Sequence, residues 1–234
     1  DPATWAWERP ADYTAFLKKD GLKGLRLGIN RGYWGNFSFD LPGLAKEQEE
    51  LAEEAFAAMK FAGAELVDPV NLSHRKCDSS VLLYEFRQCL NSYLAGNPVP
   101  RCRSLKDLIA FCGDHPKECL RYGMDILLDA QFKTSGTLTE SKYLLDRAES
   151  LRHSQKEGLD KVLDENKLDI LVCPGISDAS PISGYPSIIV PAGHTSDRMP
   201  FGVTFVGRSF SEPLLIQAAY GYEQVSKKRI PPTL

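Results

Sequence analysis

The sequence predicts an α/β fold, with a largely parallel β-sheet flanked by helices and a helical middle segment, and three observations carry that prediction. Residues 25–67 read as strand, amphipathic helix, strand. Residues 80–167 read as almost entirely helical. Residues 168–234 return to short apolar runs bounded by Pro or Gly, followed by one last helix. The chain of 234 residues is long enough to bury one substantial core, and we read it as a single α/β domain, 1–234, in three parts: a β-α-β entry (1–79), a helical segment (80–167), and sheet strands with a final helix (168–234).

Taken in order, Asp12 caps a short helix over 13–17, and the glycines at 21 and 24 turn the chain into an apolar run that predicts a strand over 25–30. A loop rich in Gly, Asn and aromatic residues (31–42) leads to a helix over 44–62, whose apolar face is Leu44, Leu51, Ala55, Met59 and Ala62 and whose opposite face is filled by glutamates. Gly63 ends it, and 64–67 forms a second strand. A strand, a helix and a strand in succession predict a right-handed crossover with the two strands parallel. In the middle segment, one helix starts near Val81, Ser104 caps the next, and Pro116 opens a third. From Thr139 to Asn166 the residues Tyr143, Leu144, Ala148, Leu151, Leu159, Val162 and Leu163 recur at helical spacing, and Gly158 predicts a kink or break. Three apolar runs, 169–173, 187–190 and 202–207, predict buried strands. The last helix opens near Glu212 and Pro213, carries Leu214, Leu215, Ala218, Tyr222 and Val225 on its apolar side, and ends at Lys227, Lys228 and Arg229.

Composition narrows the function. With 43% hydrophobic and 25% charged residues and a net charge of −3, the chain has no basic excess to attract nucleic acid. Charges interrupt each apolar stretch before it could cross a bilayer, and residues 1–10 lack the basic-then-apolar layout of a signal peptide, so neither membrane nor export is expected. The six cysteines show no paired spacing and read as reduced and cytosolic. The chain opens at Asp1 instead of Met, which predicts that a segment upstream has been removed.

Several groupings bear on chemistry. Cys112, His115 and Cys119 are ligand-type side chains within eight residues, but Pro116 spoils a shared helical face, no second pair follows, and the plainer reading is half-buried helix cysteines, with no metal. None of the thiols has an activating neighbour in sequence. Ser73 and Lys76 match a Ser-x-x-Lys spacing, yet their polar surroundings would keep the lysine protonated and useless as a base. His194 falls in a polar turn, 193–200, and reads as an exposed loop histidine. There is no Gly-x-Ser-x-Gly elbow and no phosphate-cradling glycine loop.

The segment 173–186 is more informative, because it joins the carboxyl end of one predicted strand to the start of another, the edge of an open α/β sheet where ligands sit. Asp178 is its one acid, flanked by Ser177 and Ser180. It either accepts a hydrogen bond from a substrate amine or amide or, more plainly, closes a turn on its own backbone.

The strings GYPSIIVPAG (184–193), MPFGVTFVG (199–207), SEPLL (211–215) and YGYEQ (220–224) resemble the carboxy-terminal end of amidase signature enzymes (amidases, peptide amidases and the A subunits of glutamyl-tRNA amidotransferases). LKGLRLGI (22–29), AAMKFAGAELV (57–67) and LDILVCP (168–174) are similar to the middle of the same family. The resemblance covers nearly the whole chain but only the second half of a full-length member. It implies a mixed, largely parallel sheet flanked by helices and a hydrolase that cleaves carboxamide C–N bonds through a nucleophilic serine, a bridging serine and a lysine. Those three lie in a Gly/Ser-rich amino-terminal segment that this sequence does not contain, so no catalytic residue is assigned here. The chain alone is expected to be inactive, with the amino-terminal half of the enzyme and a small amide as its partners and no cofactor. The resemblance allows a pocket wall over 173–185, with Cys173, Gly175, Ser177, Asp178, Gly184 and Tyr185 as the substrate-binding candidates; the loop is shorter than in many members. The rival expectation is a non-enzymatic interaction domain with amidase-like architecture, in which a homo-oligomer covers an open strand edge.

Overall fold

The computed structural model describes residues 8–31, 44–72, 80–96, 101–177 and 179–231. They fold as two compact units, one from the chain up to residue 74 together with residue 152 onward, the other from residues 75–151. The strands expected near 25, 64, 169, 187 and 202 all form: β1 (Arg26–Ile29), β2 (Glu65–Val67), β3 (Ile170–Pro174), β4 (Ser187–His194) and β5 (Pro200–Val206). They make one mixed sheet in the order β2-β1-β3-β5-β4. β1 is parallel to both β2 and β3, with Leu27 opposite Leu66 on one side and Ile170 on the other. β5 is antiparallel to β3 and to β4.

Side chains alternate across this sheet, as the two-residue period of a strand requires. Leu27, Ile29, Ile170, Val172, Val203 and Phe205 point to one face, where α1 (Leu44–Phe61) and α9 (Glu212–Ser226) cover them with Ala55, Phe56, Met59, Leu215, Ala218 and Tyr222. Leu171, Cys173 and Val206 point to the other face and pack on Val70, Leu72, Leu168 and the helix α7 (Asp160–Glu165) through Val162 and Leu163. Each fully buried Leu, Ile, Val or Phe contributes about 1.5–3 kcal/mol, so the register of β3 is strongly specified; a slip of one residue would exchange the two sets.

β4 is longer than its apolar run suggested. A bulge between Pro191 and Gly193 carries the strand on to His194, which lies opposite Pro200. His194 is therefore half-buried at a strand end and not an exposed turn residue. The helix expected from 139 to 166 is continuous except at the position that Gly158 marked. α6 (Ser141–Ser154) widens into a π-helical turn, Gln155–Leu159, before α7 begins. A Cβ on Gly158 would fall inside van der Waals contact of the His153 carbonyl, so only glycine lets the widened turn close.

The other unit holds α2 (Ser80–Ala95), α3 (Leu105–Asp114), α4 (Pro116–Cys119), α5 (Asp125–Phe132) and most of α6. Ser104 caps α3, accepting from the Asp107 N–H at 3.2 Å. Arg87 donates to the Gln131 and Thr134 carbonyls at 3.1 and 2.7 Å, and Asn91 accepts from the Leu105 N–H at 2.8 Å, which joins α2 to α5 and α3. No helix among the described residues is long and apolar enough to cross a membrane.

Candidate functional site

Because β1 and β3 are parallel, their carboxyl ends emerge at the same edge of the sheet, and the segment 173–186 begins there. Cys173 is fully buried on the α7 side of β3. Its sulfur accepts from the Asn30 side-chain amide at 3.8 Å, just past the end of β1. Burial pushes the Cys173 thiol up to about 11, against smaller opposing effects from Ser177 and Asn30. At neutral pH the group is a thiol and not a thiolate, so it is no nucleophile. Asn30 is 1% exposed, and its Oδ1 has no hydrogen-bond partner among the described residues.

Gly175, at φ +70°, turns the chain out of the sheet. Its N–H donates to the Gly202 carbonyl at 2.8 Å, and its own carbonyl accepts from the Thr204 hydroxyl. Ile176 follows, 61% exposed. Ser177 is buried and accepts from the Ala179 N–H at 3.3 Å. A short helix, α8 (Ala179–Ser183), occupies the middle of the segment. Its end is closed by Gly184, whose φ of +74° suits a left-handed cap and whose N–H donates to the Ser180 carbonyl at 2.8 Å. The Ser180 hydroxyl donates to the Tyr185 carbonyl, and the Ser183 hydroxyl accepts from the Tyr185 N–H at 3.1 Å. Gln155, in the π turn, donates to the Ser183 carbonyl at 2.7 Å.

Tyr185 then returns to α7, where its hydroxyl donates to Asp160 Oδ2 at 2.8 Å. Arg208 pairs with both Asp160 and Asp164. Burial and the Asp160 carboxylate push the Tyr185 phenol up to about 12.

The structure thus gathers Cys173, Gly175 and Ser177 at the mouth of the segment and places Gly184 and Tyr185 at its far end. Asp178 lies outside the described residues, as do Ser73 and Lys76. Sequence reasoning did not single out Asn30, Thr204, Asp160 or Arg208. Asn30 left one readable signal, a polar residue ending an apolar strand at the edge where ligands gather. The other three act through partners 25 to 48 positions away, which local pattern does not disclose. Chemically, the serine hydroxyls of this segment hold the loop in shape, and the edge offers polar contacts beside the exposed Ile176.

No family model matches the sequence. A protein named as a probable amidase in Arabidopsis thaliana is 32% identical over 232 residues, 94% of this chain and 42% of that protein. The crystal structure of the native peptide amidase of Stenotrophomonas maltophilia superposes with a TM-score of 0.82 at 34% identity, over 100% of this chain and 50% of that one. The A subunit of the glutamyl-tRNA(Gln) amidotransferase of Desulfotalea psychrophila is 28% identical, over 92% of this chain and 47% of that protein. The fold is that of the amidase signature enzymes, and the homologues are amidases and amidotransferase A subunits. The chain spans about half the length of the relatives it matches.

Proposed function

We propose that this chain is the carboxy-terminal part of a cytoplasmic amidase signature hydrolase, supplying sheet strands and the loop wall 173–185 to a small amide substrate while the reactive groups come from the amino-terminal half of the enzyme. One observation carries this reading: the whole chain superposes on half of a peptide amidase at 34% identity. The chemistry at the β1–β3 edge agrees with a supporting role. Its thiol is held neutral by burial, and the Ser180 and Ser183 hydroxyls are engaged with loop backbone. Amide cleavage needs an activated nucleophile and preorganised donors for the oxyanion. In the complete enzyme a serine would attack the amide carbon, the amine would leave, and water would release the acyl group, with the lysine neutral when it accepts the proton.

The test is ammonia release from a peptide amide and from a simple carboxamide by the purified 234-residue chain. The expected result is no turnover above the buffer rate. Turnover that rises with protein concentration and survives repurification would overturn the proposal, since it would place the reactive groups within these residues.

A further inference from the structure

Among the described residues the sheet ends on one side in β2, of three residues, and on the other in β4, of eight, which pairs with β5 alone. The Gly207 N–H donates to the Pro186 carbonyl at 3.1 Å. In the antiparallel register that follows, Ile188 and Val190 turn their backbone groups to β5, and Ser187 and Ile189 turn theirs away from it. Pro191 has no N–H, which ends the open stretch after Ile189. The side chains are as uneven as the backbone. Val190 is 6% exposed in the core beneath α1 and α9, whereas Ile189, on the other face, is 54% exposed. Ile189 lies over Gly202, where a Cβ would come within 2.8 Å of its Cγ1. The Gly202 carbonyl accepts from the Gly175 N–H at 2.8 Å, and Ile176, 61% exposed, follows. The Thr204 hydroxyl holds the Gly175 carbonyl, so the backbone beneath is fixed. Two exposed isoleucines thus flank a floor of two glycines beside an open strand edge, and such an edge is a template for another strand.

We propose that the amino-terminal half of the enzyme docks on this surface, adding a strand to β4 through the backbone of Ser187 and Ile189 and covering Ile176 and Ile189 with apolar side chains. The inference rests on the amidase reading and adds to it the surface where the two halves meet. Two observations select this occupant. The alignments take in 94% and 100% of this chain but only 42% and 50% of the relatives, so in them a body of about equal length lies outside it. That body has to bring reactive groups to the segment 173–186, which begins at the carboxyl end of β3. The segment runs from β3 to β4, on the side of the sheet away from β2. Ile176 belongs to it, and Ile189 adjoins it through Gly202. Strand addition supplies main-chain hydrogen bonds, and the isoleucines supply the apolar contact that fixes the register.

The experiment compares the 234-residue chain with the complete gene product. Hydrogen exchange resolved to single amides should be more than about tenfold slower at Ile189 in the complete enzyme than in the chain. Ile189→Lys should lower the urea midpoint of the complete enzyme and leave that of the 234-residue chain unchanged, because the position is already half open to water there. Phe61→Lys, at the 86% exposed end of α1, should change neither. Far-UV circular dichroism confirms that each variant is folded. Equal exchange at Ile189 in both proteins, no effect of Ile189→Lys on the complete enzyme, or the same loss from Phe61→Lys would each overturn the assignment. So would protection of Ile189 in the 234-residue chain that disappears on dilution as sedimentation shifts from dimer to monomer, which would make a second copy the occupant. A gene that encodes no upstream half overturns the amidase reading as well, whereas an active complete enzyme in which Ile189 exchanges freely overturns this inference alone.

Discussion

The Tyr185 hydroxyl donates to Asp160 Oδ2 at 2.8 Å while Arg208 approaches the other oxygen of that carboxylate at 3.3 Å. One aspartate on α7 therefore anchors both the end of the pocket-wall segment and Arg208, two residues past the end of β5. Tyr185→Phe removes the donor and leaves Arg208 in place. Destabilisation of about 1–2 kcal/mol is expected, read as a lower urea midpoint, and proteolysis should become faster within 175–185. An unchanged midpoint and unchanged loop protection in the Tyr185→Phe variant would show that the bond does not hold the segment.

Two glycines that both lie in helical segments should respond in opposite directions to alanine. At Gly158 a Cβ meets the His153 carbonyl, so Gly158→Ala must distort the π turn, at about 1–3 kcal/mol. At Gly113, in α3, a Cβ meets nothing within 4 Å, and Gly113→Ala should stabilise by up to about 0.5–1 kcal/mol through helix propensity. Thermal melts of the two variants beside the parent chain make the comparison.

Stability should fall in alkali. Cys173 has its thiol raised from 9.0 to about 11 by burial. A raised value means that the folded state holds the proton more tightly, so its contribution is complete below pH 9 and is lost as the pH rises through 11. The contribution is on the order of 2–3 kcal/mol. Tyr185 and Tyr222, both pushed up to about 12 mainly by burial, act in the same direction at higher pH. Urea midpoints measured from about pH 8 to 11 should decline, and Cys173→Ala should flatten the first part of that decline.

At the acid end, Glu47 on α1 accepts from the Ser196 N–H at 2.6 Å and from its hydroxyl at 2.7 Å, which ties the β4–β5 turn to the helix. These bonds lower the Glu47 carboxyl from its ordinary 4.5. A lowered value means that the tether is complete above pH 4.5 and is lost as the pH falls through the lower folded value. Hydrogen exchange at the Ser196 amide should accelerate over that acid range, and Glu47→Gln should remove the pH dependence.

Much of the sheet was legible because its strands are short apolar runs punctuated by Gly and Pro. β1, β2 and β3 lie within a residue of where periodicity put them, and the Ser104 cap is where its side-chain chemistry required. β4 ran further than expected because the bulge after Pro191 continues the pairing, and bulges leave little trace in composition. The five-residue α8 was missed, since one turn of helix is too short to show a period. Within the pocket-wall segment the sequence placed Cys173, Gly175 and Ser177 at a strand end, which is a local matter. It could not show that the Tyr185 hydroxyl turns to Asp160, or that Asn30 approaches Cys173 from a strand on the far side of the helical unit in sequence. Such pairings are set by topology and not by neighbours.

The pairing of β1 with β3 bears on how the chain is made. Arg26 bonds Asp169 across 143 positions of sequence, so the central seam of the sheet cannot close until most of the polypeptide has left the ribosome. Until then β1 has, among the described residues, only the three-residue β2 beside it, and Leu27 and Ile29 stay uncovered on the β3 side. The helices of residues 75–151 emerge in the interval. Ordering of the sheet is thus a late, long-range event, of the kind that folds slowly and is exposed to aggregation while it waits.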